Sequence, residues 1–190
     1  MLVVGSGQSG CRIAENLHLA GRTVHLVVGG APRCPRVYRG RHAVEWLADL
    51  GQYDPPVDRH PRGKGVRRQA NHDLIGRDGG RAIDLRAVAR DGMAPHGRLR
   101  DIADGHMHFT DDLAKNLDGA DAVYDGIYDL IDRDIAPQDI SALPPARYGP
   151  VWQPGPHPRR WTCARPVRRC CWTIWPRRFG RRASMSASVS

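Results

Sequence analysis

The feature that most narrows what this chain can fold into is a set of three glycines, Gly5, Gly7 and Gly10, directly after an apolar start. Met1-Leu2-Val3-Val4 is a short apolar run, and Gly5-Ser6-Gly7-Gln8-Ser9-Gly10 follows without a break. A helix-compatible segment comes next, with Ile13, Leu17 and Ala20 on one face and Gly21 as its stop. A second apolar run, Thr23 to Val28, returns at the distance of a βαβ unit. The order is strand, glycine turn, helix, strand, which is the context that gives G-x-G-x-x-G a meaning. Gly5 permits the tight turn, Gly7 removes a side chain where backbone must approach a pyrophosphate, and Gly10 lets the helix pack close on the strand. The helix N-terminus then offers unpaired N–H groups and a partial positive charge. The pattern predicts a dinucleotide site formed by Gly5, Ser6, Gly7, Gln8, Ser9 and Gly10. A glycine-rich turn in some other α/β domain is the plainer alternative.

The end of the second strand bears on which dinucleotide. An NAD or FAD site usually carries Asp or Glu there to accept from a ribose hydroxyl. Here the strand ends Val27-Val28-Gly29-Gly30-Ala31-Pro32-Arg33, and no carboxylate lies between Glu15 and Glu45. Arg33 and Arg36 are nearby cations, and guanidinium suits a 2′-phosphate. This favours NADP over NAD, with Arg33 on the 2′-phosphate. Two solvated loop arginines are the alternative.

These residues also resemble a family. Val3-Val4-Gly5-Ser6-Gly7-Gln8-Ser9-Gly10 is similar to the second glycine motif of flavin-containing monooxygenases and related flavoprotein oxidoreductases. The likeness continues through Arg39-Gly40-Arg41, Gly76-Arg77-Asp78-Gly79-Gly80-Arg81 and Pro150-Val151-Trp152. It covers about residues 1–152 and is closest to a bacterial subgroup of flavoproteins. In that family the motif opens an NADPH domain inserted into a larger FAD domain, and NADPH reduces FAD so that the flavin activates oxygen. The resemblance therefore implies NADP and FAD as cofactors and a small-molecule substrate. No FAD glycine motif precedes Gly5, and no aromatic-Ala-Thr-Gly segment follows Trp152. By resemblance this is the nucleotide-binding portion of a flavin-dependent oxidoreductase, without most of the flavin site. The fold it implies is α/β, a three-layer Rossmann-like domain with a mostly parallel sheet, incomplete, followed by a disordered basic tail. No residue of the chain earns a catalytic role from sequence.

Charge divides the chain in two. The net charge of +9 would ordinarily point to nucleic acid. Yet residues 1–152 hold 20 Lys and Arg against 20 Asp and Glu, while residues 153–190 hold nine Arg and no acid. The first part is electrically balanced, so the basic signal belongs to the tail alone, and a nucleic-acid partner is not favoured. No run approaches the ~20 apolar residues of a membrane span, and no signal peptide is evident, so a cytoplasmic protein is expected.

The remaining elements are read in order. His42 to Leu50 reads as a short helix stopped by Gly51. Residues 52–81 are rich in Pro, Gly and Arg and read as a loop-rich insertion in which His60, Asn71 and His72 are candidates for a pocket lining; plain polar loop residues are the commoner case. Asp84 is positioned to cap a helix from Leu85 to about Met93. Leu99 to Ile102 and His106 to Phe109 read as a hairpin joined at Asp104-Gly105. His106-Met107-His108 puts two imidazoles on one strand face, short of the ligand set zinc requires. Thr110 reads as the N-cap of a helix from Asp111 to about Asp134, with Leu113, Leu117, Ala120, Ile127 and Ile131 as its buried stripe and a break possible at Gly119 or Gly126. Asp118, Asp121, Asp125, Asp129 and Asp132 on its other side read as a solvated face.

From Gln153 the composition changes. Arg159-Arg160-Trp161, Arg168-Arg169-Cys170-Cys171-Trp172 and Trp175-Pro176-Arg177-Arg178-Phe179 show no helical or strand period. Arginine interleaved with aromatics suits single-stranded nucleic acid. Cys163, Cys170 and Cys171 lack metal-ligand spacing. The composition also matches an alternate reading frame of a GC-rich gene, which is the favoured reading: Trp161-Thr162-Cys163 is encodable by codons that read Leu-Asp-Leu when shifted by one base. The rival to the oxidoreductase reading is a non-catalytic NADPH-binding module whose tail recruits nucleic acid. Salt separates the two. Any binding of single-stranded nucleic acid by the full chain should weaken steeply with salt and vanish on truncation at Gln153; binding that survives truncation would show that the charge account is wrong.

Overall fold

In the computed structural model, residues 1–30, 32–60, 63–68, 76–77, 81–103, 105–137, 143–145, 147–155 and 160–162 are described, and statements of structure concern these. They form β1 (Leu2–Val4), α1 (Gln8–Leu19), β2 (His25–Val27), β3 (Val37–Tyr38), β4 (Arg41–His42), α2 (Ala43–Asp49), a 3₁₀ turn over Gly63–Arg68, β5 (Gly76–Arg77), β6 (Arg81–Ala82), α3 (Leu85–Arg90), β7 (Ala94–His96), β8 (Leu99–Ala103), β9 (His106–Phe109), α4 (Leu113–Ile135) and β10 (Arg160–Thr162). No helix among the described residues is long and apolar enough to cross a membrane.

The fold is mixed α/β and rests on a small parallel sheet in the order β1-β2-β7. Leu2 pairs with His25 and Val4 with Val27, and His25 in turn pairs with Ala94 and Val27 with His96. Alternation of side chains along these strands assigns each to a layer. Val3, Val24, Leu26 and Val28 are buried with Ala14 of α1, Val88 of α3 and Leu113 and Leu117 of α4, and Trp152 packs against this cluster. Leu2, Val4 and Val27 turn the other way, toward Met107 and Phe109 of β9. Strands β8, β9 and β10 form an antiparallel sheet on that side. The layers are therefore helices, parallel sheet and antiparallel sheet. Two short hairpins, β3–β4 and β5–β6, complete the strand pairing.

A second core lies along the C-terminal half of α4. Ile127, Tyr128, Ile131 and Ile135 pack with Cys34, Tyr38, Ala43, Trp46 and Leu47. The β3–β4 turn that feeds this core has both central residues at positive φ, Arg39 at 49° and Gly40 at 82°. That is the pattern of the tight hairpin turn whose twist matches its strands. Arg39 is an unusual occupant for it, and its side chain is held by Asp132 and the Leu143 carbonyl.

Several expectations are met with adjustments. Asp84 caps α3, accepting from the Arg86 and Ala87 N–H groups, but the helix ends at Arg90 because Gly92, at φ 107°, turns the chain and Met93 N–H donates back to Val88. Thr110 is not the cap of α4. That position is Asp112, and the Thr110 hydroxyl instead donates to its carboxylate at 2.7 Å. Gly119 and Gly126 do not break the helix, because both lie on its exposed side and tertiary packing of the opposite face carries it. On α1 the buried residues are Cys11, Ala14 and Glu15, while Ala20 is exposed. Strand β10 falls in the segment read as lacking regular structure. It pairs Arg160 with His108 and Thr162 with His106. Asn71, His72, Cys163, Cys170 and Cys171, like all residues after Thr162, lie outside the described set.

Tyrosines make the second core sensitive to alkali. The Tyr38 and Tyr128 rings stack at 3.9 Å, and Tyr38 Oη donates to Asp132 at 2.7 Å. Burial first, then the hydrogen bond to Asp132, pushes the Tyr38 phenol up to about 12, and burial pushes Tyr148 to about 12. Unfolded tyrosine ionises near its ordinary value of 10. These groups therefore stabilise the fold fully below about pH 10, and that contribution is lost as pH rises toward 12. Urea midpoints should fall between about pH 10 and 12, and Tyr38→Phe should flatten the decline; an equally steep fall in the variant would remove Tyr38 from the account.

Candidate functional site

The glycine turn lies at the carboxyl end of β1. Gly5 sits at φ 106°, a conformation that disfavours any side chain, and its N–H donates to the Val27 carbonyl at 3.1 Å. Gly10 is in the first turn of α1, and a Cβ there would run into the Gly5 carbonyl. Gly7 differs from both. Its backbone is extended, at φ −73° and ψ 174°, and a Cβ added to it would meet nothing within 4 Å. Two of the three glycines are thus required by the fold, and the third faces open space.

Gly7 is also the N-cap of α1. No side chain caps the helix and no acid lies in its first turn. Gln8 and Ser9 are exposed. Backbone donors of the first turn are consequently available to an incoming anion. Ser6 is different, because it is buried and its hydroxyl accepts from Gly29 N–H at 2.9 Å. Its side chain braces the glycine turn against the end of β2. Cys11 Sγ donates to the Ser6 carbonyl at 3.1 Å, and Asn116 Nδ2 donates to the Val28 carbonyl at 3.1 Å. The two loops at the carboxyl ends of β1 and β2 are thereby fixed to each other and to α4.

Arg33 does not stand beside the turn as a free cation. It is buried, with Nη1 at 3.4 Å from Asp84 and Nη2 at 3.4 Å from Asp121. Its guanidinium is sandwiched between the rings of Tyr124 and Tyr148, 4.2 and 4.0 Å from their centroids. Arg36 is half-buried beside His42 and Glu45. A cavity of about 30 Å³, room for one or two waters, lies between Ser6, Gly29, Arg33, Asp84, Asn116 and Asp121. It is too small for a nucleotide, which would have to lie over Gly7, Gln8 and Ser9 on the open side.

The sequence reading missed the role of Arg86. This side chain is 2% exposed and makes four hydrogen bonds, to Asp121 at 2.8 Å, Asp118 at 2.6 Å, the Trp152 carbonyl at 3.0 Å and Gln153 Oε1 at 3.0 Å. Burial works against its charge, but the hydrogen bonds to Asp121 and Asp118 outweigh that and raise its pKa. Asp118 and Asp121 therefore do not form a purely solvated face, and neither do Asp129 and Asp132, which pair with Arg147 at 2.8 and 2.7 Å. The spacing of these aspartates at three, four and seven residues was the available signal: so continuous an acidic row calls for cations. The sequence reading also missed Arg98, which lies just past β7 next to Gly30; a Cβ on Gly30 would approach Arg98 Nη2 to 3.1 Å.

Comparison with protein-family models, with curated proteins and with solved structures found no match to this chain.

Replacing Arg86 by Leu should be costly. It removes the donor from Asp118 and from the part-buried Trp152 carbonyl and leaves Asp121 with Arg33 alone, and the loss should be about 3 kcal/mol, at the low end for breaking a buried pair because Asp118 is exposed. Urea denaturation of the variant measures it. A loss below about 0.5 kcal/mol would place Arg86 among ordinary surface ion pairs.

Proposed function

We propose that this chain binds NADP at the β1–α1 turn, as the nucleotide-binding portion of a flavin-dependent oxidoreductase or monooxygenase acting on a small molecule. In this reading the parallel strands β1, β2 and β7 belong to a Rossmann-like domain, and the nucleotide crosses their carboxyl ends. The observation that carries the reading is Gly7. Nothing in the packing demands a glycine there: its backbone is extended and a Cβ would have free space. A position that tolerates any side chain for folding, yet sits at the uncapped start of a 12-residue helix between two glycines the fold requires, fits one kept bare for a ligand.

The residues present suit a pyrophosphate. The N–H groups at Gln8, Ser9 and Gly10 would hold it, and Ser6 would keep the turn in shape through Gly29. Between Glu15 and Glu45 the sequence holds no acid, so the carboxylates near the end of β2, Asp84 and Asp121, come from elsewhere in the chain and stand with Arg33. NADPH, when bound, supplies a hydride; the task of this chain's residues is to bind and orient it. The flavin half of the proposal rests on the resemblance of residues 1–152 alone.

The experiment is titration of the full chain with NADPH and with NADH, comparing the parent with Gly7→Ala and Gly10→Ala. The parent should prefer NADPH. Gly7→Ala should melt as the parent does but bind at least about tenfold more weakly, since its methyl stands where a phosphate oxygen must approach the backbone. Gly10→Ala should destabilise the fold by about 1–3 kcal/mol or more, as overpacking does. Unchanged binding by Gly7→Ala, or no binding of either nucleotide by the folded parent, would overturn the proposal.

A further inference from the structure

The cation that reads the 2′ position is a separate question, and the carboxyl ends of β2 and β7 bear on it. Val28 N–H donates to the His96 carbonyl at 2.9 Å, so the two strand ends lie side by side. Gly29 and Gly30 leave β2 there, and Gly97 and Arg98 leave β7. Gly97 lets the loop around Thr110 lie against the chain, because a Cβ on it would collide with the Thr110 carbonyl. That loop pins the Arg98 backbone. Arg98 N–H donates to Asp112 Oδ1 at 3.0 Å, and its carbonyl accepts from Thr110 N–H at 2.9 Å.

The root of Arg98 is therefore fixed while its guanidinium is exposed. Its side chain is 59% exposed and pairs with Asp112 only loosely, Nε to Oδ2 at 3.7 Å. Burial pushes the Asp112 carboxyl up, but hydrogen bonds from Thr110, the Arg98 backbone and Asn116 outweigh it and hold the group below its ordinary value. Asp112 is thus a carboxylate that holds the Arg98 backbone, stands only loosely beside Nε and leaves the two terminal nitrogens for another acceptor. One of them lies against Gly30, the residue whose missing side chain opens the space.

Resting on the nucleotide reading above, we infer that Arg98, not Arg33, is the specificity-determining residue that pairs with the 2′-phosphate. The two arginines differ in what they have left to give. Arg33 is buried between two tyrosine rings with Asp84 and Asp121 each 3.4 Å away, so two carboxylates already stand beside it even though its Nε and Nη2 make no hydrogen bond. Arg98 has one long, half-exposed ion pair to surrender or share, which is worth little. A phosphate monoester dianion against a forked guanidinium gains two charge-assisted hydrogen bonds.

The test measures binding of NADP⁺ and NAD⁺ to the full chain, for the parent and for Arg98→Ala, Arg98→Lys and Arg33→Ala, with a melting curve for each. Arg98→Ala should weaken NADP⁺ by roughly tenfold to a hundredfold and leave NAD⁺ within about twofold, as loss of hydrogen bonds to one charged group predicts. Arg98→Lys should recover part of the NADP⁺ affinity, because the charge remains but the fork is gone. Arg33→Ala should lower the melting temperature and shift both nucleotides alike. A parent that binds both nucleotides but whose preference is unmoved by Arg98→Ala, or is lost selectively with Arg33→Ala, overturns the assignment to Arg98 alone. A folded parent that binds neither overturns the nucleotide reading and this assignment together.

Discussion

The structure depends on how the acidic side of α4 is neutralised. Four arginines reach it from four different segments: Arg33 after β2, Arg86 on α3, Arg39 in the β3–β4 turn and Arg147 in the segment that follows α4. They meet Asp121, Asp118, Asp132 and Asp129. Arginine suits this work better than lysine, since each fork serves several acceptors at once; Arg86 serves four. The same helix joins the two cores, with Leu113 and Leu117 in the first and Ile127, Ile131 and Ile135 in the second. Over 23 residues it is about 34 Å long, enough to span a small domain. Its apolar stripe supplies the burial energy, and its acidic row decides which segments lie beside which.

The N-terminal half of α4 carries that order to the glycine turn. Asp112 fixes the chain leaving β7, and Asn116 fixes the chain leaving β2. Ser6 then ties β1's turn to β2's exit. The carboxyl ends of three parallel strands are thus held by short polar side chains, of which Asn116 satisfies a backbone carbonyl that would otherwise be buried unpaired. A backbone cradle for a phosphate needs such support, because its donors are useful only when their directions are fixed.

Much of this was legible in the sequence, and the illegible parts share a cause. β1, α1, β2, the cap at Asp84 and the hairpin near Gly105 followed from local pattern: apolar alternation, turn glycines and capping chemistry are properties of adjacent residues. The arginine seam did not. A row of aspartates on a helix reads as solvated unless one knows which cations the fold brings back, and Arg33 and Arg86 lie 88 and 32 residues from Asp121 and Asp118 of that row. Arg33 was legible as a cation near β2 but not as a buried one, because its burial comes from Tyr124 and Tyr148 far along the chain. β10 escaped for a different reason. Its pairing with β9 is made by backbone groups, which leave no period in three residues.

Charge balance connects the seam to the site. Residues 1–152 carry equal numbers of basic and acidic side chains, and the structure spends many of them on each other. The fold commits Arg33, Arg39, Arg86 and Arg147 to its own carboxylates, so an anionic ligand would draw on backbone donors and on cations outside that seam. Arg86 is closed off by four acceptors and Arg33 by two carboxylates and two rings. Arg98 is held at its backbone and is loose at its tip. The number and quality of an arginine's existing partners, more than its distance along the chain from the glycine motif, separates the arginines built into the scaffold from one whose tip stays exposed.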